Sequence, residues 1–165
     1  RDKAIEASMD ELLDELSAAR AAEGASLGEI VGAQLAEMER LSQRAGECSS
    51  LRPEAAKARL AAQVAALLEA GAPALEERLA QELAILAVKS DVREELDRLA
   101  THIAAAGALL SQGGAVGRKL DFLAQELNRE ANTLCAKSND AQLSDIGLEL
   151  KAVIDQFREQ VQNIE

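Results

Sequence analysis

Tryptophan and tyrosine are absent from these 165 residues, and only two phenylalanines and two prolines occur. Strands draw on aromatic and β-branched side chains, so a β-rich fold is excluded as the main architecture. The scarcity of proline leaves long stretches free to run as helix. The two cysteines, Cys48 and Cys135, stand apart without CxxC spacing. That fits a reduced, cytosolic setting. No apolar run approaches the ~20 residues of a membrane helix, and the start does not read as a signal peptide. Positive charge is in deficit: the formal net charge is -11. Non-specific phosphate binding is therefore excluded as the main task, although a site that handles nucleic acid through metal ions is not. A single histidine, His102, leaves no nameable Ser-His-Asp or Cys-His constellation. There is no internal repeat, low-complexity tail or glycine-rich phosphate loop.

What is present is alanine, leucine and glutamate, with an apolar share of 48%. Much of that share is alanine, so helices can pack closely around a thin core. Ile5, Met9, Leu12 and Leu16 recur at helical spacing. "EGAS" reads as an interruption, with Ser26 capping a second helix through Leu27, Val31, Leu35 and Met38. "ECSSLRP" ends that helix, and Pro53 suits the first turn of a third. "AGAP" breaks again. A long pattern runs from about residue 73 to 111, with a joint near "KSD", where Asp91 and Glu94 form a pair resembling a capping box. "SQGGAVG" is a turn, and a helix follows over about 116–135, ended by "KSND". The last helix carries Leu143, Ile146, Leu150, Val153, Phe157, Val161 and Ile164. The expected fold is all-α, an elongated antiparallel bundle of long amphipathic helices. It divides into a helical region at 1–72 and a C-terminal helical domain at 73–165. The start at Arg1 and the charged end "REQVQNIE" lead us to expect a piece of a longer protein.

Two stretches carry candidate chemistry. In "DVREELDRLATH", residues 91–102, the side chains of Asp91, Glu94, Glu95, Arg98 and His102 fall within roughly 100° of one helix face. The core stripe Val92, Leu96, Leu99 and Ile103 lies beside them. Carboxylates with one imidazole suit Mn²⁺ or Mg²⁺, and the imidazole can serve as acid or base near neutral pH. The plainer reading is a face of exposed ion pairs. In "GRKLDFLAQELNREANT", residues 117–133, Asp121, Gln125, Asn128 and Asn132 repeat the spacing of Asp91, Glu95, Arg98 and His102. Leu120, Leu123 and Leu127 mark the core side, and Glu126 and Glu130 flank the row. Such a row serves a site or an inter-helix hydrogen-bond seam. Glu82 can add a carboxylate. Arg118, Lys119, Arg129 and Lys137 can touch phosphates, but no aromatics are seen to interleave with them for base stacking. Cys135 reads as a small packed residue.

The long wording "LAQELAILAVKSDVREELDRLATH", then "VGRKLDFLAQELNREANTLCAKSND" and the terminal "FREQVQNIE", resembles the YicC family of bacterial proteins (YicC/YloC-like endoribonucleases), most densely over residues 79–165. "RAAEGASL" is similar to the segment that leads into the family's central helices. Family members are longer and carry another N-terminal domain, so this chain looks like their C-terminal part. The resemblance implies a cytoplasmic, metal-dependent endoribonuclease of bacterial RNA turnover. It also implies an RNA substrate bound mainly by the full-length protein, no DNA or membrane partner, and a homo-oligomer, hexamer included. The family signature D-x-x-E-E-x-x-R-x-x-x-H matches at Asp91, Glu94, Glu95, Arg98 and His102. Its G-R-K-L-D-F-L block matches Gly117 to Leu123, while Cys135 stands where a Gly or Ser is expected. On this reading Asp91, Glu95 and His102 hold Mn²⁺ or Mg²⁺. Glu94, Arg98 and His102 are the catalytic set, with Glu94 a further ligand or base and Arg98 neutralising phosphate or orienting a carboxylate. Arg118, Lys119, Asp121, Gln125, Asn128, Arg129 and Asn132 support substrate. The rival is a non-catalytic helical oligomerisation module whose polar stripes are seams between subunits.

If "SQGGAVG" reverses the chain, paired positions of the flanking helices add to about 227. His102 then lies level with Gln125, and Arg98 with Asn128 or Arg129. Glu95, Arg98 and His102 should line a cleft with Asp121, Gln125 and Asn128, from this chain or a neighbouring subunit.

Overall fold

The protein is described by a computed structural model. It describes residues 2–48, 91–138 and 141–164, with single helical positions at 58, 62 and 65. The expected features at Pro53, "AGAP" and Glu82, the helical pattern over 73–90 and the boundary at 72/73 lie outside the described residues.

Four helices stand among the described residues: α1 (Asp2–Glu47), α2 (Arg93–Gln112), α3 (Gly117–Lys137) and α4 (Ala141–Val161). No strand occurs among them, so the fold is all-α as expected. The helices pack in a closed cycle, α1 on α2, α2 on α3, α3 on α4 and α4 on α1. Short connections make α2, α3 and α4 antiparallel neighbours. Among the described residues, no helix is long and apolar enough to cross a membrane.

α1 overturns one expectation. "EGAS" does not interrupt it: the helix runs unbroken for 46 residues, and Ser26 lies inside it instead of capping a second helix. Glycine in a helix costs only about 1 kcal/mol relative to alanine. Strong formers flank Gly24 on both sides, and from Val31 onward burial against the bundle fixes the helical path. Val31, Leu35, Met38, Leu41 and Ala45 are buried, whereas every residue with described burial over 2–26 is exposed. At 1.5 Å per residue α1 is about 69 Å long and overshoots its neighbours. Its first apolar stripe is amphipathic as expected but uncovered, with Ile5 and Leu12 about 60% exposed.

The expected new start after residue 90 is seen, with Asp91 and Val92 non-helical and α2 starting at Arg93. The cap differs from the expected capping box. Asp91 Oδ1 accepts the backbone N–H of Arg93 at 3.0 Å, and Glu94 turns to Arg98 at 3.1 Å. Helical geometry begins one residue later than a box on Asp91 requires, so Glu94 is in the wrong position to reach back. The core stripe of α2 is Leu99, Ile103 and Ala106, with Val92 buried before it and Leu96 only partly buried. In α4 the interior passes through Ile154, and Val153 and Ile164 lie at the margin. A 3.6-residue repeat favours 150, 154, 157 and 161 over a stripe kept through 153.

The α2–α3 turn rests on Gly113 and Gly114, whose φ values of 69° and 80° lie in the left-handed region. Gly117 then starts α3 against the end of the chain. A Cβ there would overlap the carbonyl oxygen of Ile164. Gly117→Ala should cost roughly 1–3 kcal/mol, the usual range for overpacking, and lower the melting midpoint by several degrees in a calorimetric scan. An unchanged midpoint would show that the last turn yields freely. Cys135 packs against Gly147, where an added Cβ would come within 2.6 Å of its Sγ.

Candidate metal centre between two helices

The α2–α3 hairpin brings two sequence-distant acids to the histidine. His102 meets Glu126 and Glu130, and one ligand atom from each lies within 4.8 Å of the other two. Arg98 Nε stands 3.3 Å from Glu130 Oε2. His102 was expected level with Gln125, and Arg98 with Asn128 or Arg129. Glu126 lies ~100° around the helix from Gln125, and it is this adjoining face, with Glu130, that closes on His102. Two carboxylates thus stand where an amide was expected.

The rest of the "DVREELDRLATH" stripe divides by burial. Glu95 is only 2% exposed. Lys137 Nζ, from the end of α3, donates to Glu95 Oε1 at 2.8 Å and to the Asp91 carbonyl at 3.2 Å. Arg98 Nη2 is 3.8 Å from Glu95 Oε1. The other carboxylate oxygen, Oε2, is buried without a hydrogen-bond partner. Arg98 therefore sits between two buried carboxylates, Glu95 and Glu130, and also meets the exposed Glu94. Asp91 is engaged elsewhere: its carboxylate takes Arg93 Nη2 at 2.7 Å. Hydrogen bonds from the Arg93 side chain, then from its backbone N–H, hold the Asp91 carboxyl below its ordinary range. The support that this carboxylate gives the start of α2 is lost only as pH falls through that lowered value.

The polar row of α3 runs along the flank that faces α4. Gln125 donates to Asp121 at 2.8 Å, Asn132 donates to Asn128 at 2.7 Å, and Asn128 donates to Asp155 of α4 at 2.9 Å. Arg158 of α4 lies 3.6 Å from Asp121. These bonds form an inter-helix seam, and the carboxylates that close on His102 come from the neighbouring face. Arg129 approaches Glu126 at 4.0 Å. Arg118 and Lys119 are exposed at the start of α3 and have no acidic partner among the described residues. Contrary to the sequence reading, an aromatic does stand among these cations: Phe122 is 59% exposed on the same stretch.

One imidazole and two carboxylates are a donor set for Mn²⁺ or Mg²⁺, hard cations that accept a single nitrogen among oxygens. Glu130 is 5% exposed, and a buried carboxylate needs a positive partner. Arg98 supplies one on a single oxygen, and the triad's geometry has room for a second. The donor set fits a divalent ion. Sequence reasoning placed Glu126 and Glu130 only as flanking residues and did not foresee the Lys137–Glu95 pair. The signal available for the first was their own i,i+4 spacing, which puts two carboxylates on one helix face.

A family model described as "Endoribonuclease YicC-like, C-terminal" matches residues 45–165. A "Probable endoribonuclease YicC" of Haemophilus influenzae is 42% identical over 160 residues, covering 94% of this chain and 53% of that protein. A protein of the same name from Clostridioides difficile is 34% identical over 157 residues, covering 95% of this chain and 54% of its own length. The chain spans about half the length of the curated relatives it matches. It belongs to the YicC-like endoribonuclease family.

Proposed function

We propose that, within this family, the chain carries the divalent-metal centre of an endoribonuclease of bacterial RNA turnover, with His102, Glu126 and Glu130 as the ligands. The observation that carries the reading is the convergence of these three groups across the α2–α3 groove. Bound there, Mn²⁺ or Mg²⁺ supplies positive charge at a phosphodiester. The chain's own groups do the rest. Arg98, half-exposed and paired with Glu94 and Glu130, is the cation beside the triad that meets a substrate phosphate. Glu94, 73% exposed and ion-paired with Arg98 at 3.1 Å, is the solvent-facing carboxylate for proton transfer. Glu95, anchored by Lys137, faces Arg98 from the buried side, and Asp91 organises the start of α2.

Two measurements test the reading. Titration of the chain with Mn²⁺ should give one site per chain, weakened at least about tenfold by Glu130→Gln. The full-length protein should cleave a labelled RNA with Mn²⁺ and not with EDTA. Equal cleavage in EDTA, or Mn²⁺ binding indifferent to Glu130→Gln, would remove the proposal. The net charge of -11 sets a further expectation for the chain on its own: RNA binding no tighter than micromolar. Submicromolar, salt-sensitive binding would contradict it.

The uncovered stripe of α1, from Ile5 to Leu16, favours a second role as an assembly surface in a cytoplasmic homo-oligomer. Sedimentation velocity reads it directly, since charged substitutions at Met9 and Leu12 should then lower the mass of the particle.

A further inference from the structure

Ala105 and Leu109 of α2, Arg118, Lys119 and Phe122 of α3, and Ile164 line a hollow of about 1350 Å³. The chain has two phenylalanines, which the fold treats oppositely: Phe157 is fully buried and Phe122 is 59% exposed. Leaving an aromatic ring in water forgoes a burial worth about 1.5–3 kcal/mol. The ring is held on a rigid helix, one turn after Arg118 and Lys119. Those cations lack acidic partners among the described residues, although acids outnumber bases by 29 to 18 in the chain.

We propose that this hollow binds an unpaired base of single-stranded RNA, stacked on Phe122, with Arg118 and Lys119 on the adjoining phosphate. The proposal rests on the endoribonuclease reading and adds the subsite that places substrate. Phe122 precedes Glu126 by four residues and Ala105 follows His102 by three, so the lining of the hollow comes within about one helical turn of the triad. Four residues of helix rise about 6 Å, so a base on Phe122 sets a neighbouring phosphodiester over His102, Glu126 and Glu130. An aromatic face beside unpaired cations is the chemistry that captures single strands without reading sequence. A base inside a duplex has both faces stacked and cannot reach the ring. The volume exceeds the ~300–1,000 Å³ of ordinary small-ligand pockets, as a site for a stretch of polymer should.

The chain has no tryptophan or tyrosine, so Phe122→Trp introduces a sole fluorophore. In EDTA, a five-residue oligoadenylate and adenosine 5′-monophosphate should quench it, and ribose 5-phosphate should not. Leu148→Trp, at a position 60% exposed on α4, is the control and should barely respond. Arg118→Ala with Lys119→Ala should weaken the oligonucleotide roughly fivefold or more and reduce its salt dependence. In the wild type, the Phe122 ring protons should shift upfield on titration, which requires no substitution. Equal quenching at 148, quenching by ribose 5-phosphate, equal response to an RNA duplex, or an unmoved Phe122 ring would each overturn the subsite. An emission change that follows protein concentration without nucleotide would overturn it in favour of a second copy. Because EDTA removes metal, loss of Mn²⁺ binding with quenching intact counts against the metal centre alone. Mn²⁺ binding without quenching counts against the subsite alone.

Discussion

His102→Ala should lower metal-dependent RNA cleavage by the full-length protein at least about 100-fold, the loss expected when a group holding a catalytic metal is removed. Far-UV circular dichroism should not change. His102 is only partly buried, and the buried contacts of α2 run through Leu99, Ile103 and Ala106 on the adjoining face. The substitution therefore removes a ligand without opening the core. Glu130→Gln should act in the same direction for the same reason. Wild-type cleavage by either variant would end the assignment of the triad. The sequence alone gives Glu95→Ala the same expected result, and the structure changes its cause. Glu95 is engaged by Lys137 at the far side of Arg98, so its loss should reduce cleavage through a displaced Arg98 and should also lower stability.

Lys137→Met should destabilise the hairpin by about 3 kcal/mol. The Glu95 side chain is 3% exposed, and Lys137 Nζ at 2.8 Å is its closest cation. Without Lys137 the buried carboxylate keeps only Arg98, 3.8 Å away and shared with Glu130. Urea unfolding reads the loss directly. The double variant Lys137→Met/Glu95→Leu should recover most of it, because an apolar pair replaces a stranded charge. A single-variant loss below about 1 kcal/mol, the level of an exposed pair, would show that the pair is effectively solvated. The double variant's recovery also separates charge compensation from packing, since a packing defect would persist in it.

Much of this architecture was legible from residue order. Helical periodicity in the last helix, the two glycines of "SQGGAVG" and the new start after Asp91 depend on backbone and side-chain preferences that act within a few residues. Local physics of that range is written in the sequence. Family membership was legible as well, through long runs of matching residues. The unbroken α1 was not, because Gly24 and Ser26 weigh only modestly against a helix and burial of Val31 to Ala45 decides the matter from outside. Nor was the triad. Successive residues point ~100° apart around a helix, and packing turned Glu126 and Glu130, not Gln125, toward His102, while Lys137 reaches Glu95 across more than forty positions of chain. The exposure of Phe122 against the burial of Phe157 is decided the same way: identical side chains differ only in which helix face the bundle covers. Sequence determined the helices, their breaks and the pool of charged groups. Tertiary packing alone decided which of those charges meet, because the pairings depend on helix rotation and register, and those are set by contacts between distant segments.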